Sequence, residues 1–288
     1  MKRVVRFLVL FLLLCVSFRQ AAVIRDLSPT VSLRFDSEFS HEQARGFDAV
    51  WAEEQAYVSG CQCTMLRFDG DALLAFPAEY AFGTPPNSLT PDCCVVSTYL
   101  AWELFGGEDV TGLTVELHGE EYTICGVLAH EEPVILIPDS GGFTAAELCA
   151  PSVDNDLYRY AADCAAQAGL PEPTQILCGP EVAFLTGMLP WLCAAFCAGA
   201  LLRRITGRWT VLWLAVLLLA VLPDWFVPTR WSDTVFWSEL AESLYARLLD
   251  WLTLAPALRD VSVKEAWFQL AAAFLLSLGL VRKTDRAG

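Results

Sequence analysis

The chain carries little positive charge and is nearly without lysine. Its 288 residues include 19 Lys and Arg against 34 Asp and Glu, so the formal net charge is −15 at pH 7. No lysine occurs between Lys2 and Lys264, and residues 21–180 contain only five arginines and three histidines. A surface of this sign repels phosphate-rich polymers and anionic lipid headgroups. We therefore expect no nucleic acid among the partners of this chain.

The chain also lacks the short motifs that organise catalysis or nucleotide binding. It contains no G-x-S-x-G, no H-E-x-x-H and no P-loop. His41, His118 and His130 are scattered along the sequence, and Gly106-Gly107 lacks the lysine and the preceding strand of a phosphate loop. We accordingly predict no catalytic, cofactor-binding or metal-ligating residues, no cofactor, and a protein that is not an enzyme.

Apolar sequence is what the chain has in excess. Hydrophobic residues make up 55% of it, and the mean hydropathy of +0.43 is too high for an ordinary soluble domain. A membrane-spanning helix needs about 20 predominantly apolar residues, and four segments approach that requirement. The predicted spanning helices are residues 1–20, 181–203, 208–227 and 263–281.

Basic residues flank these segments in a consistent way. They precede the first segment, separate the second from the third, and follow the fourth, at Lys2, Arg3, Arg6, Arg203, Arg204, Arg208, Arg282, Lys283 and Arg286. The positive-inside rule places all three clusters in the cytoplasm. We therefore predict a multi-pass protein of the cell membrane with both termini inside. Its large domain, residues 21–180, and an outer loop, residues 228–262, are extracytoplasmic, and residues 282–288 are a cytoplasmic tail.

Two of these segments have a second interpretation. The uninterrupted apolar run of residues 7–18 is short for a spanning helix, and its basic start and Ala21-Ala22 also fit a secretory signal peptide. In the outer loop, several leucines and Trp251 fall on one helical face, which is typical of an amphipathic helix at the membrane–water boundary. The same face also fits a helix packed against the base of the outer domain. The sequence leaves both alternatives open.

The first part of the outer domain mixes strand and helix patterns. Residues 31–36 alternate apolar and polar side chains, which predicts a strand. Ser40, with Gln43 at the capping-box position, predicts a helix whose apolar stripe is Phe47, Val50 and Trp51. The remaining predictions are strands at 56–58 and 64–68, a loop at 77–91 and a short helix at 158–168.

Residues 95–138 are the most informative stretch. Ser97 or Thr98 is a candidate N-cap for a helix over 99–105, which Gly106-Gly107 ends. Alternation over 113–117, a turn at His118-Gly119 and a return over 121–127 predict a hairpin, and residues 134–137 predict a third strand. We expect Leu104 and Phe105 to be buried against this hairpin.

The run VVSTYLAWELFGGEDVTGLTVELHGEEYTICGVL, residues 95–128, resembles the extracytoplasmic core domain of MacB-type ABC transporter permeases, the family that also includes FtsX and the LolC/E subunits. The similar features are the helix end at Leu104-Phe105-Gly106, the connection at residues 109–112, the hairpin, and Gly126-Val127 at the end of its second strand. The predicted topology also agrees with that family, in which one large outer domain lies between the first and second of four transmembrane helices. The resemblance implies an α+β extracytoplasmic domain with a mixed sheet, which can divide into two lobes, on a four-helix transmembrane region.

The resemblance also implies a function. In the resembled family an ATPase hydrolyses ATP in the cytoplasm, and helix movements carry the effect to the outer domain. This chain contains no ATPase, so the resemblance implies one on a separate polypeptide. The expected partners are the lipid bilayer, a separate ABC ATPase and a second permease subunit in a homo- or heterodimer. Two departures stand against this, because only residues 203–208 join the second and third helices and only 282–288 follow the fourth. An accessory or degenerate member, acting as a membrane-anchored binding or sensor protein without transport coupling, is the alternative.

Cysteines are the second unusual feature of the outer domain, where eight occur: Cys61, Cys63, Cys93, Cys94, Cys125, Cys149, Cys164 and Cys178. An even number in an oxidising compartment favours disulfides, with Cys61 or Cys63 to Cys93 or Cys94 as the first expectation. The same four thiolates could instead hold zinc, although their spacing is unusual for it. Free buried thiols are the third alternative.

Overall fold

The computed structural model describes residues 2–26, 30–43, 45–86, 91–139, 141–149, 157–183, 186–187, 189–191, 194 and 249–286. Its named elements are α1 (Lys2–Asp26), β1 (Thr30–Phe39), β2 (Ala49–Val58), β3 (Cys61–Gly70), α2 (Ala72–Ala75), β4 (Tyr80–Gly83), β5 (Cys93–Ser97), α3 (Thr98–Phe105), β6 (Thr114–Leu117), β7 (Glu120–Leu128), β8 (Val134–Pro138), β9 (Phe143–Cys149), α4 (Leu157–Gln167), β10 (Gln175–Cys178), a 3₁₀ turn (Pro256–Arg259) and α5 (Val261–Arg286).

Ten strands form one mixed sheet in the order β10-β1-β9-β2-β3-β8-β5-β7-β4, with β6 paired to β7 off this path. The β3–β8 and β5–β7 pairs are parallel and the other pairs are antiparallel. The predicted mixed α+β class is therefore confirmed for the outer domain. The strands share a single sheet and do not separate into one sheet for each of two lobes.

The order of helix, hairpin and third strand predicted over residues 95–138 is confirmed. The Ser97 hydroxyl caps α3 by accepting the Leu100 N–H at 3.2 Å, and it also accepts the Val134 N–H at 3.1 Å, which ties the helix start to β8. Gly106 ends α3 in the left-handed conformation at φ 71°. Both turn residues between β6 and β7 have positive φ, as a two-residue hairpin turn requires.

The burial predicted at the end of α3 is met in part by Leu104, which is half-buried, and is wrong for Phe105. Leu104 packs against the core beside the fully buried Leu100 and Ala101. Phe105 is 39% exposed. It lies five residues after Leu100, which is about 140° around the helix, so it cannot share the face that Leu100 and Leu104 present to the core.

The helix predicted after Ser40 is also wrong. Ser40 and Gln43 form only a turn, in which the Gln43 side chain accepts the Ser40 N–H at 3.0 Å, and the chain then enters β2. Val50 packs into one core cluster while Trp51 packs into another on the opposite face of the sheet. A strand buried on both faces has no alternation of apolar and polar residues. The spacing of its apolar residues therefore also fitted the apolar stripe of a helix.

Four strands were not predicted from the sequence. The strand β5 directly precedes α3, where only the helix cap was predicted. The strand β4 lies inside the segment predicted as a loop, and β9 and β10 lie in a region for which only the helix now seen as α4 was predicted. The strands β4 and β10 have four residues each, too few for a periodic signal. Buried residues on both faces of β9 remove its alternation as well.

The first and last helices, α1 and α5, pack against each other. In the part of the chain that is described, no helix is both long enough and apolar enough to cross a membrane. The predicted helix over 208–227 and most of the one over 181–203 lie outside the described residues, as does the outer loop up to residue 248.

Candidate functional site: a buried ionic junction at the base of the sheet

Four segments of the chain meet at one edge of the sheet. They are the end of α1, the helical residues that directly follow β10, the helical residues 249–254, and the start of α5. Their apolar side chains form a core cluster of Ile24, Val182, Trp251, Ala255, Ala266 and Leu270. The Trp251 and Trp267 rings are 5.5 Å apart. Trp251, in the described part of the outer loop, therefore packs against α1, α5 and the helical residues that follow β10.

Strand register brings a set of polar side chains onto one face of the sheet next to this cluster. Ser32 on β1 and Ala49 on β2 both lie opposite Glu147 on the intervening strand β9. Arg34 on β1 and Trp51 on β2 both lie opposite Ala145, which is two residues before Glu147 on β9. Because side chains alternate between faces with period two, all of these side chains project from one face.

Glu147 is the centre of the arrangement and is fully buried, with 0% exposure. Its Oε1 accepts the Ser32 hydroxyl at 2.6 Å and the Trp51 indole N–H at 3.0 Å. The Arg34 Nη1 lies 3.6 Å from the same oxygen, which makes an ion pair between neighbouring strands. A carboxylate in such a place is tolerated because it is paired and hydrogen-bonded at once.

Arg34 links the sheet to the segment that leads into α5. Its Nη2 donates to the Leu254 carbonyl oxygen at 2.8 Å. Its guanidinium carbon is 4.1 Å from the centre of the Trp51 ring, a distance at which the cation and the ring attract each other. One side chain therefore holds Glu147, an aromatic ring of β2 and the backbone just before the 3₁₀ turn.

Arg259 makes the reciprocal contact from the C-terminal segment to the sheet. It forms an ion pair with Glu53 on β2. Its guanidinium carbon lies 4.5 Å from the centre of the Trp51 ring and 5.2 Å from that of Phe76. Trp51 therefore contacts two arginines, one from β1 and one from the 3₁₀ turn that immediately precedes α5. We call the set Arg34, Trp51, Glu53, Glu147 and Arg259 the ionic junction.

Burial dominates the electrostatics of the ionic junction. It lowers the pKa of Arg34 to about 10, and the nearby Glu147 carboxylate only partly offsets this. Burial raises the pKa of Glu147, against the opposing effects of Arg34 and of the Ser32 and Trp51 donors. The pKa of Arg259 is lowered by burial too, with Glu53 as the main opposing charge. Each charge is thus stable only while its partner stays in place.

The ionic junction is not fully satisfied. Within the described residues, Arg34 Nη1, Glu147 Oε2 and Arg259 Nη1 are buried and have no hydrogen-bond partner. Buried polar atoms in folded proteins nearly always have such partners, so three orphans in one cluster are unusual.

His130 borders the junction on its other side. Its ring packs edge-on against Phe76 at 5.3 Å, and its side chain is buried. Burial lowers the pKa of His130. Lys264 on α5 and Arg259 act in the same direction, whereas Glu132 and Glu131 raise it. The neutral ring is therefore the form that suits this position.

The structure does not bring the three histidines together. His41 pairs with Asp69 at 2.5 Å, and His118 occupies the hairpin turn. Among the described residues there is no group of three or more His, Cys, Asp or Glu side chains able to hold a metal ion. Arg34 and Glu147 were not predicted as site residues. An arginine inside a strand pattern and a single acid within the apolar run FTAAELC were the available signals.

In the outer domain, free thiols are seen at Cys61, Cys63, Cys93, Cys94, Cys125, Cys149 and Cys164. The expected pairing of Cys61 or Cys63 with Cys93 or Cys94 is opposed by the topology, since β8 lies between β3 and β5. Two strands on either side of a third are about 9.5 Å apart. A disulfide requires Cα atoms within about 7 Å.

Comparison with known proteins yields likeness of fold only. No family model and no curated protein matches the sequence. The periplasmic region of MacB from Actinobacillus actinomycetemcomitans is similar at 9% identity and a TM-score of 0.44, over 54% of this chain and 91% of that one. The extracellular domain of the noncanonic ABC-type transporter YknZ from Gram-positive bacteria is similar at 13% identity and a TM-score of 0.40, over 50% and 96%. Because both scores are below 0.5, we base no functional conclusion on them.

Proposed function

We propose that the chain is a permease-like membrane subunit of a MacB/FtsX-type ABC system, in which a separate ATPase moves an extracytoplasmic domain through membrane helices. The observation that carries this proposal is the ionic junction, which fastens the sheet to the residues immediately before α5. The resemblance of residues 95–128 to the outer domains of that family gives the proposal its class.

The junction is suited to passing on a displacement of the helices. A movement of α5 along or about its axis acts on Arg259 and on the backbone at Leu254, and both contact the sheet directly. Only residues 27–29 separate α1 from β1, and helical residues follow β10 without a break. Because β1 and β10 are neighbours at the edge of the sheet, all of these connections reach one place.

The helices themselves support a position in lipid. Large apolar side chains point away from the protein on both α1 and α5, including Phe11, Leu12, Phe268, Leu275 and Leu276. Exposed apolar side chains in such number are a cost in water and a gain in a bilayer. The basic clusters supply the orientation, with the sheet outside.

Topology is the first test. Reporter fusions after Arg204 and Arg286 should report a cytoplasmic location, and fusions at Asn87 and Asp233 an external one. An external location at Arg204 would falsify the four-helix arrangement and with it the proposed coupling.

Coupling is the second test. If a separate ATPase drives this subunit, it should co-purify with the full-length chain from native membranes in mild detergent. Replacing Ile205, Thr206 and Gly207 alters the contact surface of the short cytoplasmic loop while keeping the flanking arginines. This variant should lose the ATPase and any ATP-dependent activity at an unchanged membrane level, whereas a matched triple substitution of exposed outer-domain residues should lose neither.

A membrane-anchored binding or sensor protein without an ATPase is the second candidate. The observation in its favour is the brevity of segment 203–208, which is predicted to join the second and third helices in the cytoplasm. Failure of any ATPase to associate with the unmutated chain would select this function. The junction would then relay binding at the outer domain to the helices, in the opposite direction.

A further inference from the structure

We propose that Cys93 and Cys125 form a reversible disulfide that locks the β5–β7 pair. The two strands are parallel neighbours, with Cys93 opposite Thr123 and Cys94 opposite Ile124. The register then shifts, because Val95 lies opposite Gly126, so Cys125 is an extra residue on β7. A β-bulge of this kind redirects the side chain of the extra residue.

Alternation along β5 decides which thiol faces Cys125. Cys94 and Val96 point into one core cluster together with Ile124, whereas Val95 and Cys125 belong to the cluster on the other face. Cys93 lies two residues before Val95 and shares its face. Neighbouring strands and a common face therefore bring the Cys93 and Cys125 thiols together.

The local contacts agree with this placement. The Cys125 thiol donates to the Cys94 carbonyl oxygen at 3.3 Å, which fixes its sulfur beside β5. Burial, together with the charge of Cys93 and a hydrogen bond with its side chain, raises the pKa of Cys125 to about 11. Both side chains are only partly buried, so a soluble oxidant can reach them. Cys94, in contrast, is fully buried.

The chemistry balances with a small disulfide such as oxidised glutathione as the oxidant. The Cys93 thiolate attacks one glutathione sulfur, the glutathione disulfide breaks, and one glutathione thiolate leaves. The Cys125 thiol then loses its proton to solvent and attacks the Cys93 sulfur of the mixed disulfide, releasing the second glutathione thiolate. The protein loses two hydrogen atoms and glutathione gains two, and reduced glutathione reverses both steps.

The test uses the full-length chain, equilibrated in glutathione buffers of graded redox ratio, alkylated and mapped by mass under non-reducing conditions. No arginine or lysine lies between the two cysteines, so a glutamate-specific protease is needed, and Glu103 and Glu116 provide cleavage sites. The oxidised protein should yield one cross-linked peptide pair that joins the peptide containing Cys93 to the peptide containing Cys125. It should also unfold at a higher temperature than the reduced protein, because the bond restricts the unfolded chain.

Variants separate Cys93 from its neighbour. Cys94→Ala should keep the cross-link and Cys93→Ser should abolish it, while circular dichroism shows that both remain folded. A cross-link that persists in Cys93→Ser and disappears in Cys94→Ala would overturn the proposal. So would full alkylation of Cys93 and Cys125 in the folded wild-type protein at every redox ratio.

Discussion

Removing the Glu147 carboxylate is the sharpest perturbation of the ionic junction. In Glu147→Ala the Arg34 guanidinium remains buried without its counter-charge, and the Ser32 and Trp51 donors lose their acceptor. Breaking one side of a buried ion pair costs about 3–5 kcal/mol. A typical domain has only about 5–15 kcal/mol of stability in all, so the variant should be close to unfolding or locally open.

Urea unfolding of the full-length chain measures this loss. Glu103→Ala on α3 is the matched control, because the same side chain is removed from an exposed position and the change should stay within about 0.5 kcal/mol. Glu147→Gln should fall between the two, since its amide oxygen still accepts hydrogen bonds while its charge is gone.

The double variant Arg34→Met with Glu147→Ala isolates the pair. It removes the unpaired charge, so its loss of stability should be smaller than the sum of the two single losses by about 1–3 kcal/mol. A loss below about 1 kcal/mol for Glu147→Ala, or strict additivity in the double variant, would refute the view that Arg34 and Glu147 depend on each other.

Three further outcomes follow from the packing and charge of other residues. A Cβ on Gly83 would lie 2.1 Å from the Cys125 carbonyl oxygen, whereas one on Gly112 meets nothing within 4 Å. In urea unfolding, Gly112→Ala should therefore cost only about 1–2 kcal/mol, from left-handed strain alone. Gly83→Ala should cost clearly more, and equal losses would contradict the close contact of Gly83 with the Cys125 carbonyl oxygen. Leu100→Ala should cost about 2–5 kcal/mol and Phe105→Ala about 1 kcal/mol, and the reverse order would refute the assigned face of α3. The pKa of His130 is lowered in the folded protein. The stability that His130 contributes is therefore present above its unfolded pKa of about 6.5 and is lost as pH falls through its folded pKa. His130→Gln should reduce the dependence of the unfolding free energy on pH, measured from pH 8 to 5.

Local patterns were sufficient to predict the hairpin unit. The cap at Ser97, the stop at Gly106 and the turn at His118-Gly119 each depend on neighbours within a few residues, and all three were predicted correctly. The wrong helix at β2 has the opposite cause. Trp51 and Val50 are buried on opposite faces by strands and helices distant in sequence, and no local pattern contains that information.

The ionic junction could not be predicted for the same reason. Arg34 and Glu147 are more than a hundred residues apart, and they meet only because β9 inserts between β1 and β2. That insertion is a property of the sheet order, which the sequence signals did not define. Arginine is scarce in this acidic domain, so each arginine has several possible acidic partners. An ion pair at an arginine such as Arg34 could therefore have been predicted from the sequence, although its partner could not.

Hydrogen exchange can measure whether the ionic junction couples ATP hydrolysis to the sheet. The chain would be purified with its associated ATPase in lipid nanodiscs, and exchange at residues 143–149 and 249–259 would be compared with and without ATP. ATP is expected to change protection in both segments. Glu147→Gln, which keeps a hydrogen-bond acceptor but loses the charge, is expected to remove the change in 143–149 while leaving ATP hydrolysis intact. Identical exchange with and without ATP in both segments would contradict this coupling.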